Sequence, residues 1–156
     1  MNGKKHYKLL LLMAVLHFAA MYALMYAMVD SFANVFANWN QFYMAAIMTS
    51  PMIFIEVWLM RSMYTDKRWN ILISTASVAV LGVFFLFIRH QTAIDDKQFL
   101  RSMIPHHAGA ILMCGEAKIE DAEIRELCES ITEGQQTEIE QMKAILGRLE
   151  ASNSTQ

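Results

Sequence analysis

Apolar residues follow two different rhythms along this chain. Up to about residue 88 they come as long unbroken runs, and beyond it they recur at every third or fourth position. The first run, from about Leu9 to Val29, has no charge and no proline. As a helix it reaches about 30 Å, enough to cross a hydrocarbon core. The second, from about Phe42 to Met60, carries Pro51 and Glu56; proline is tolerated in membrane helices, where neighbouring groups satisfy the freed carbonyl. The third, from about Asn70 to Ile88, is rich in Val, Leu and Phe. Its small residues Ser74, Ala76, Ser77, Ala79 and Gly82 predict close helix approach. Lys4, Lys5 and Lys8 before the first run also suit a cleaved signal peptide. The run is longer than a signal core and no small-x-small site follows it, so the pattern predicts three retained membrane helices.

From Asp95 the rhythm changes. Phe99, Leu100 and Met103 make an apolar face before Pro105. Proline suits the first turn of a helix, so Pro105 is expected to open a new helix reaching about Lys118, a kinked continuous helix being the alternative. After a turn near Ile119–Asp121, the residues Ile124, Leu127, Ile131, Ile139, Met142, Ile145 and Leu149 mark the seam of a last helix from about Ala122 to Leu149. The polar stretch Ala151–Gln156 is expected to fray. No strand pattern or repeat appears. The reading is all-α: a membrane part over 1–91 with three transmembrane helices, a helical hairpin over 92–150, and a flexible tail over 151–156. A hairpin this small has a marginal core. It is expected to complete a four-helix bundle as a homodimer, with packing against the membrane helices as the other source of burial.

Charge sharpens the division. The chain of 156 residues is 55% hydrophobic and carries a net −2. Residues 1–91 hold seven Lys/Arg against three Asp/Glu, a balance of +4, whereas residues 92–156 hold six against twelve, a balance of −6. That excludes a disordered chain, and the absence of a large basic patch argues against a nucleic-acid partner. Basic residues precede the first run and fill the second loop as Arg61, Lys67 and Arg68, while the loop Asp30–Gln41 has none. The positive-inside rule then puts the N-terminus and the second loop in the cytoplasm and the helical part outside, although Arg89, Lys97 and Arg101 pull weakly the other way. Trp39 and Tyr43 suit one interfacial belt, and Trp58, Tyr64 and Trp69 the other.

The candidate chemistry lies mainly in the acidic part. On a helix, Met103, His106 or His107, Ala110, Met113 and Ala117 share a face, and so do Gln135, Glu138 and Met142 on the last helix. Counting from a turn near residue 120, residues 103–107 lie opposite residues 133–138. The histidines then approach Gln135 and Glu138. Imidazole with thioether suits Cu(I), and imidazole with carboxylate suits zinc, Cu(II) or iron. A buried polar network without metal uses the same residues. Cys114 and Cys128 lie at matched heights on the two arms, as a disulfide staple, core thiols or soft metal ligands. Their spacing is not a zinc motif.

The stretch Asp95, Phe99, Met103-Ile104-Pro105-His106-His107, Ala110-Ile111 and Met113, followed by Ile131, Gln135, Glu138-Ile139 and Met142, resembles the family called domain of unknown function 305 over roughly residues 92–147. The resemblance implies a ferritin-like helical fold, a secreted or membrane-anchored bacterial protein, and an association with copper binding and tolerance. Longer members carry more than one His-His unit. The single unit here again suggests a half-bundle that dimerises, and Cys114-Gly115 after Met113 departs from a detailed ligand pattern. Location in a bacterial inner membrane, with the helical domain periplasmic or extracellular, follows as the expectation. Glu116, Glu120, Glu123, Glu126, Glu129, Glu133 and Glu140 read as a solvated face. Glu116 is the one carboxylate suited to a di-metal site, but Glu-x-x-His is absent, which disfavours a ferroxidase. No nucleophile–base set or phosphate loop points to an enzyme.

The membrane part has a second candidate. Met13, His17, Met21, Met25 and Met28 share a face of the first span, and Met44, Met48, Met52, Glu56, Met60 and Met63 share one of the second. Ionisable groups inside a membrane are functional candidates, and the Met44-x-x-x-Met48 step resembles three-span copper transporters. Packing is the simpler use of such Met stripes. The expected function is thus a membrane-anchored, extracytoplasmic copper-binding protein for buffering or tolerance, using His106, His107, Met103, Met113, Glu138, Gln135 and Met142. The alternatives are copper transport involving His17, Met21, Met48, Met52 and Glu56, or a metal-free interaction module. Zinc and iron stay open as cofactors. The expected partners are a lipid bilayer, the metal ion and a second copy.

Overall fold

The structure, a computed structural model, describes residues 3–153. Among these residues it contains five α-helices and no strand. They are α1 (Gly3–Leu24), α2 (Trp39–Leu59), α3 (Lys67–Arg89), α4 (Asp96–Glu116) and α5 (Ala122–Asn153). Short 3-10 turns at Met25–Met28 and Phe32–Asn34 lie between α1 and α2. The chain divides into two compact units. One takes the chain to Met25 and from Asn40 to Thr92; the other takes Tyr26–Trp39 and everything from Ala93.

Three stretches, lying mostly in the first unit, are long and apolar enough to cross a membrane: Lys5–Met28, Trp39–Leu59 and Lys67–Arg89. Asp66 caps α3, accepting from the backbone N–H groups of Arg68 at 2.9 Å and Trp69 at 3.3 Å. Inside α2, next to Pro51, the hydroxyls of Thr49 and Ser50 donate to the carbonyls of Ala45 and Ala46. Leu10, Val57 and Tyr64 are buried together, with Tyr7, Met13, Ile53 and Ile73 packed around them. A ladder of Phe42, Tyr43, Phe84 and Phe87 joins α2 to α3. The expected close approach at the small residues of α3 is not found at Gly82, where an added Cβ would meet nothing within 4 Å. Ala76 and Ser77 instead line an apolar cavity of about 260 Å³ with Ala14 and Ser50.

In the second unit, α4 and α5 pack as an antiparallel hairpin. Leu100, Ile104 and Ala108 meet Ile139 and Leu146 in its core. Asp95 starts α4 by accepting from the Gln98 N–H at 2.7 Å. Pro105 lies inside α4 and does not open a new helix. Its missing N–H leaves the carbonyl of Arg101 without its usual partner, and the Asn38 side chain donates to that carbonyl at 3.4 Å. The alternative of a continuous helix is therefore the one realised, with the connector between α1 and α2 serving the exposed backbone group.

That connector is the main departure from the expected division at residue 91. Asn34 and Asn38 are buried, and Val29 and Phe36 pack on the hairpin core. The Trp39 N–H donates to the Gln98 side chain at 3.0 Å. Gly109 allows the closest approach, since a Cβ there would stand 3.3 Å from the Met28 carbonyl oxygen. At the far end α5 stays helical to Asn153, beyond the expected end at Leu149, and the rest of the expected tail, 154–156, lies outside the described residues. Ile124 and Leu127, expected in the seam, are exposed. Helix α4 ends at Glu116, so Ile124 lies level with the turn, whereas Leu127 stands beside the Cys114–Cys128 bond and is exposed although α4 reaches that level.

Candidate functional site

The local rules of α4 and α5 bring one histidine to one carboxylate. His107 follows Met103 by one helical turn, and its Nδ1 lies 2.9 Å from the Met103 carbonyl oxygen. A carbonyl only accepts, so Nδ1 carries the hydrogen. Nε2 is then turned outward, 2.8 Å from Oε2 of Glu138 on α5. The His107 side chain is 11% exposed and that of Glu138 is 57% exposed, so the pair has a protein-lined side and a solvent side. In its neutral form the imidazole offers a fixed Nε2 lone pair beside a carboxylate. In its protonated form it donates to that carboxylate and clamps the two helices.

Other expected ligands stand at differing distances from this pair. His106 is exposed, its ring 6.0 Å from that of His107. Met103 and Gln135 are half-buried, and among the described residues no hydrogen bond joins Gln135 to either histidine. Met142 packs against the hairpin core. Met113 is exposed and lies six residues beyond His107 on α4, about 9 Å along the axis. Helix rise therefore separates Met113 from the Nε2 position. Among the described residues no three His, Cys, Asp or Glu side chains converge. Farther along the hairpin Arg101 pairs with Glu150 at 2.7 Å, an exposed contact of small energetic value. Cys114 and Cys128 form a disulfide with Cα atoms 5.3 Å apart, tying the end of α4 to the first turns of α5.

Residues 58–149 match the family described as a domain of unknown function, DUF305. The chain belongs to that family. The match begins near the end of α2 and takes in all of α3, so it reaches well before the 92–147 stretch that carried the resemblance. An uncharacterized protein of Acanthamoeba polyphaga mimivirus is 32% identical over 148 residues, covering 93% of this chain and 95% of that protein. The similarity thus extends over both units. No solved structure matches.

In the first unit the two expected ionisable residues occupy separate places. Glu56 lies three residues before the end of α2 and accepts from the Tyr64 hydroxyl at 3.4 Å. Among the described residues no hydrogen bond or ion pair joins it to His17. Met48 is exposed, while His17, Met21 and Met52 are half-buried.

A polar-aromatic cluster around Tyr64 was not anticipated. Tyr7 donates to the Asn70 side chain at 2.7 Å and its ring lies 5.3 Å from that of Tyr64. His6 Nδ1 approaches the Met63 carbonyl oxygen at 3.1 Å. Burial, and then the Glu56 carboxylate, push the Tyr64 hydroxyl above its ordinary pKa. The signal available in the sequence was Tyr7 and Tyr64 at the two ends that the positive-inside rule assigns to one face.

Proposed function

We propose that this protein is a membrane-anchored, extracytoplasmic metal-binding protein whose helical unit captures copper through His107 and Glu138. The observation that carries the reading is the double tether of His107. A backbone carbonyl fixes Nδ1–H, which is how metal-binding imidazoles are oriented, and a carboxylate stands at Nε2, where it would be the second ligand. Imidazole and carboxylate suit Cu(II), and the thioether of Met103 one turn away extends the donor set toward Cu(I). His106 beside the pair, with Gln135 and Met142 on the facing helix, are supporting candidates.

The setting supports the reading. Three crossings bring the 26–39 connector and the hairpin to the same side of a bilayer, and these segments share one compact unit. The cationic loops favour a cytoplasmic N-terminus, and the disulfide favours an oxidising compartment such as the outer side of a bacterial inner membrane. The net −6 of residues 92–156 raises the local cation concentration. With two close protein ligands from one chain, a second copy is the partner that completes the coordination. The exposed Phe99, Met113, Ile124 and Leu127 supply apolar surface for it.

The test is elemental analysis of full-length protein purified in nanodiscs, followed by copper titration against a competing chelator. The His107→Ala and Glu138→Gln variants should each weaken binding by roughly tenfold or more. Unchanged affinity in both would overturn the site. The second reading is a metal-free interhelix clamp, favoured by the same 2.8 Å bond, which needs no ion to satisfy it. It gains support if the protein takes up no metal and Glu138→Gln lowers hairpin stability.

A further inference from the structure

The Cys114–Cys128 pair lies away from the histidine pair. Cys114 follows His107 by seven residues on α4, two turns or about 10 Å. Both cysteines are half-buried and line an open groove of about 610 Å³ together with Gly115, Arg125, Glu129 and Glu133. A Cβ on Gly115 would meet nothing within 4 Å, so no other side chain packs over that position. Arg125 stands one turn before Cys128 on α5, and the carboxylates Glu129 and Glu133 line the same groove, where they draw a cation toward the sulfurs. A disulfide that lines an open groove is one that external thiols can reach and exchange with. The two sulfurs are carried by separate helices whose Cα atoms are 5.3 Å apart. Two thiolates so placed reach one ion between them when each swings about its own Cβ, with metal–sulfur bonds of about 2.3 Å.

We propose that this pair is a redox-gated site for a soft monovalent cation, Cu(I) in particular. An external dithiol reduces the disulfide by exchange. One of its thiolates attacks a cysteine sulfur to give a mixed disulfide, and its second thiol displaces the remaining cysteine. Two electrons and two protons pass to the protein, and the dithiol leaves as its own disulfide. Cu(I) then replaces the two thiol protons and is held as a bis-thiolate. Reoxidation of the sulfurs by a disulfide oxidant removes both ligands at once and releases the ion. The donor set is sulfur alone, so the site is chemically distinct from His107 and Glu138 and stands or falls apart from them.

The experiment uses full-length protein in nanodiscs, oxidised or reduced with a dithiol that is then removed, and Cu(I) delivered from a competing chelator. The reduced protein is expected to retain about one more equivalent of Cu(I) than the oxidised protein, with sulfur ligands in its X-ray absorption spectrum. The gain should persist in His107→Ala, which separates this site from the one under Proposed function. It should vanish in Cys114→Ser/Cys128→Ser, a fair control because the reduced wild type also lacks the staple. Circular dichroism on both confirms that the hairpin remains helical. Reduction that adds no Cu(I), or a gain that survives in the double serine variant, would overturn the proposal.

Discussion

Replacing Ile139 by alanine tests where the hairpin core lies. Ile139 is 1% exposed and packs among Leu100, Ile104, Ala108 and Leu146. Truncation removes about three methyl-sized groups at roughly 0.8 kcal/mol each, or about 2.4 kcal/mol of transfer energy. The residual cavity raises the expected loss to about 3–4 kcal/mol. Leu127→Ala removes a similar volume from a side chain that is 57% exposed, so its cost should stay below about 1 kcal/mol. Native-state hydrogen exchange on the full-length protein in nanodiscs reads both. Amides in α4 and α5 should lose about two to three decades of protection in Ile139→Ala and less than one in Leu127→Ala. Equal losses at low protein concentration would refute this account of the core. A Leu127 effect that grows with concentration would instead place a second copy on that face.

The other predictions concern the connector, the staple and the Tyr64 cluster. Gly109→Val should push the Met28 carbonyl away and raise protease cleavage within residues 26–39, because even a Cβ would stand at 3.3 Å. Cys114→Ser/Cys128→Ser should lower the stability of the hairpin's closed end by about 3 kcal/mol, the loop-closure value for a ring of about 15 residues. Exchange at the ends of α4 and α5 would show it, and no change would contradict the staple. The raised pKa of Tyr64 means the folded state holds that proton more tightly than the unfolded chain, whose value is near 10.0. Its stabilisation is therefore complete below that pH and is lost as pH climbs through the higher folded value. Tyr64→Phe should flatten this alkaline loss, measured by thermal unfolding across a pH series.

Much of the architecture was legible in the sequence because it follows from one-dimensional signals. Long apolar runs gave the three apolar helices, and counting residues from the turn brought His107 opposite Glu138 and matched Cys114 with Cys128. The seam of α5 misled at Ile124 and Leu127, since periodicity marks an apolar face but not which of its positions a neighbour covers. Pro105 misled in the same way: its effect depends on whether something distant serves the freed carbonyl, and Asn38 does. The choice of His107 over His106 also needed three dimensions, because adjacent residues on a helix point about 100° apart and only one can meet α5.

The connector between α1 and α2 makes the helical unit discontinuous along the chain, and this bears on how the protein is made. Tyr26–Trp39 leaves the ribosome well before α4 exists, so Phe36 and the buried faces of Asn34 and Asn38 must wait for their cover. On the proposed topology, that cover reaches the connector's side of a bilayer only after α3 has crossed. That topology makes insertion of the third helix the committing step of assembly. A chain whose third helix failed to cross would strand the Arg101 carbonyl and the apolar connector on opposite faces, presenting surface that a quality-control protease can recognise.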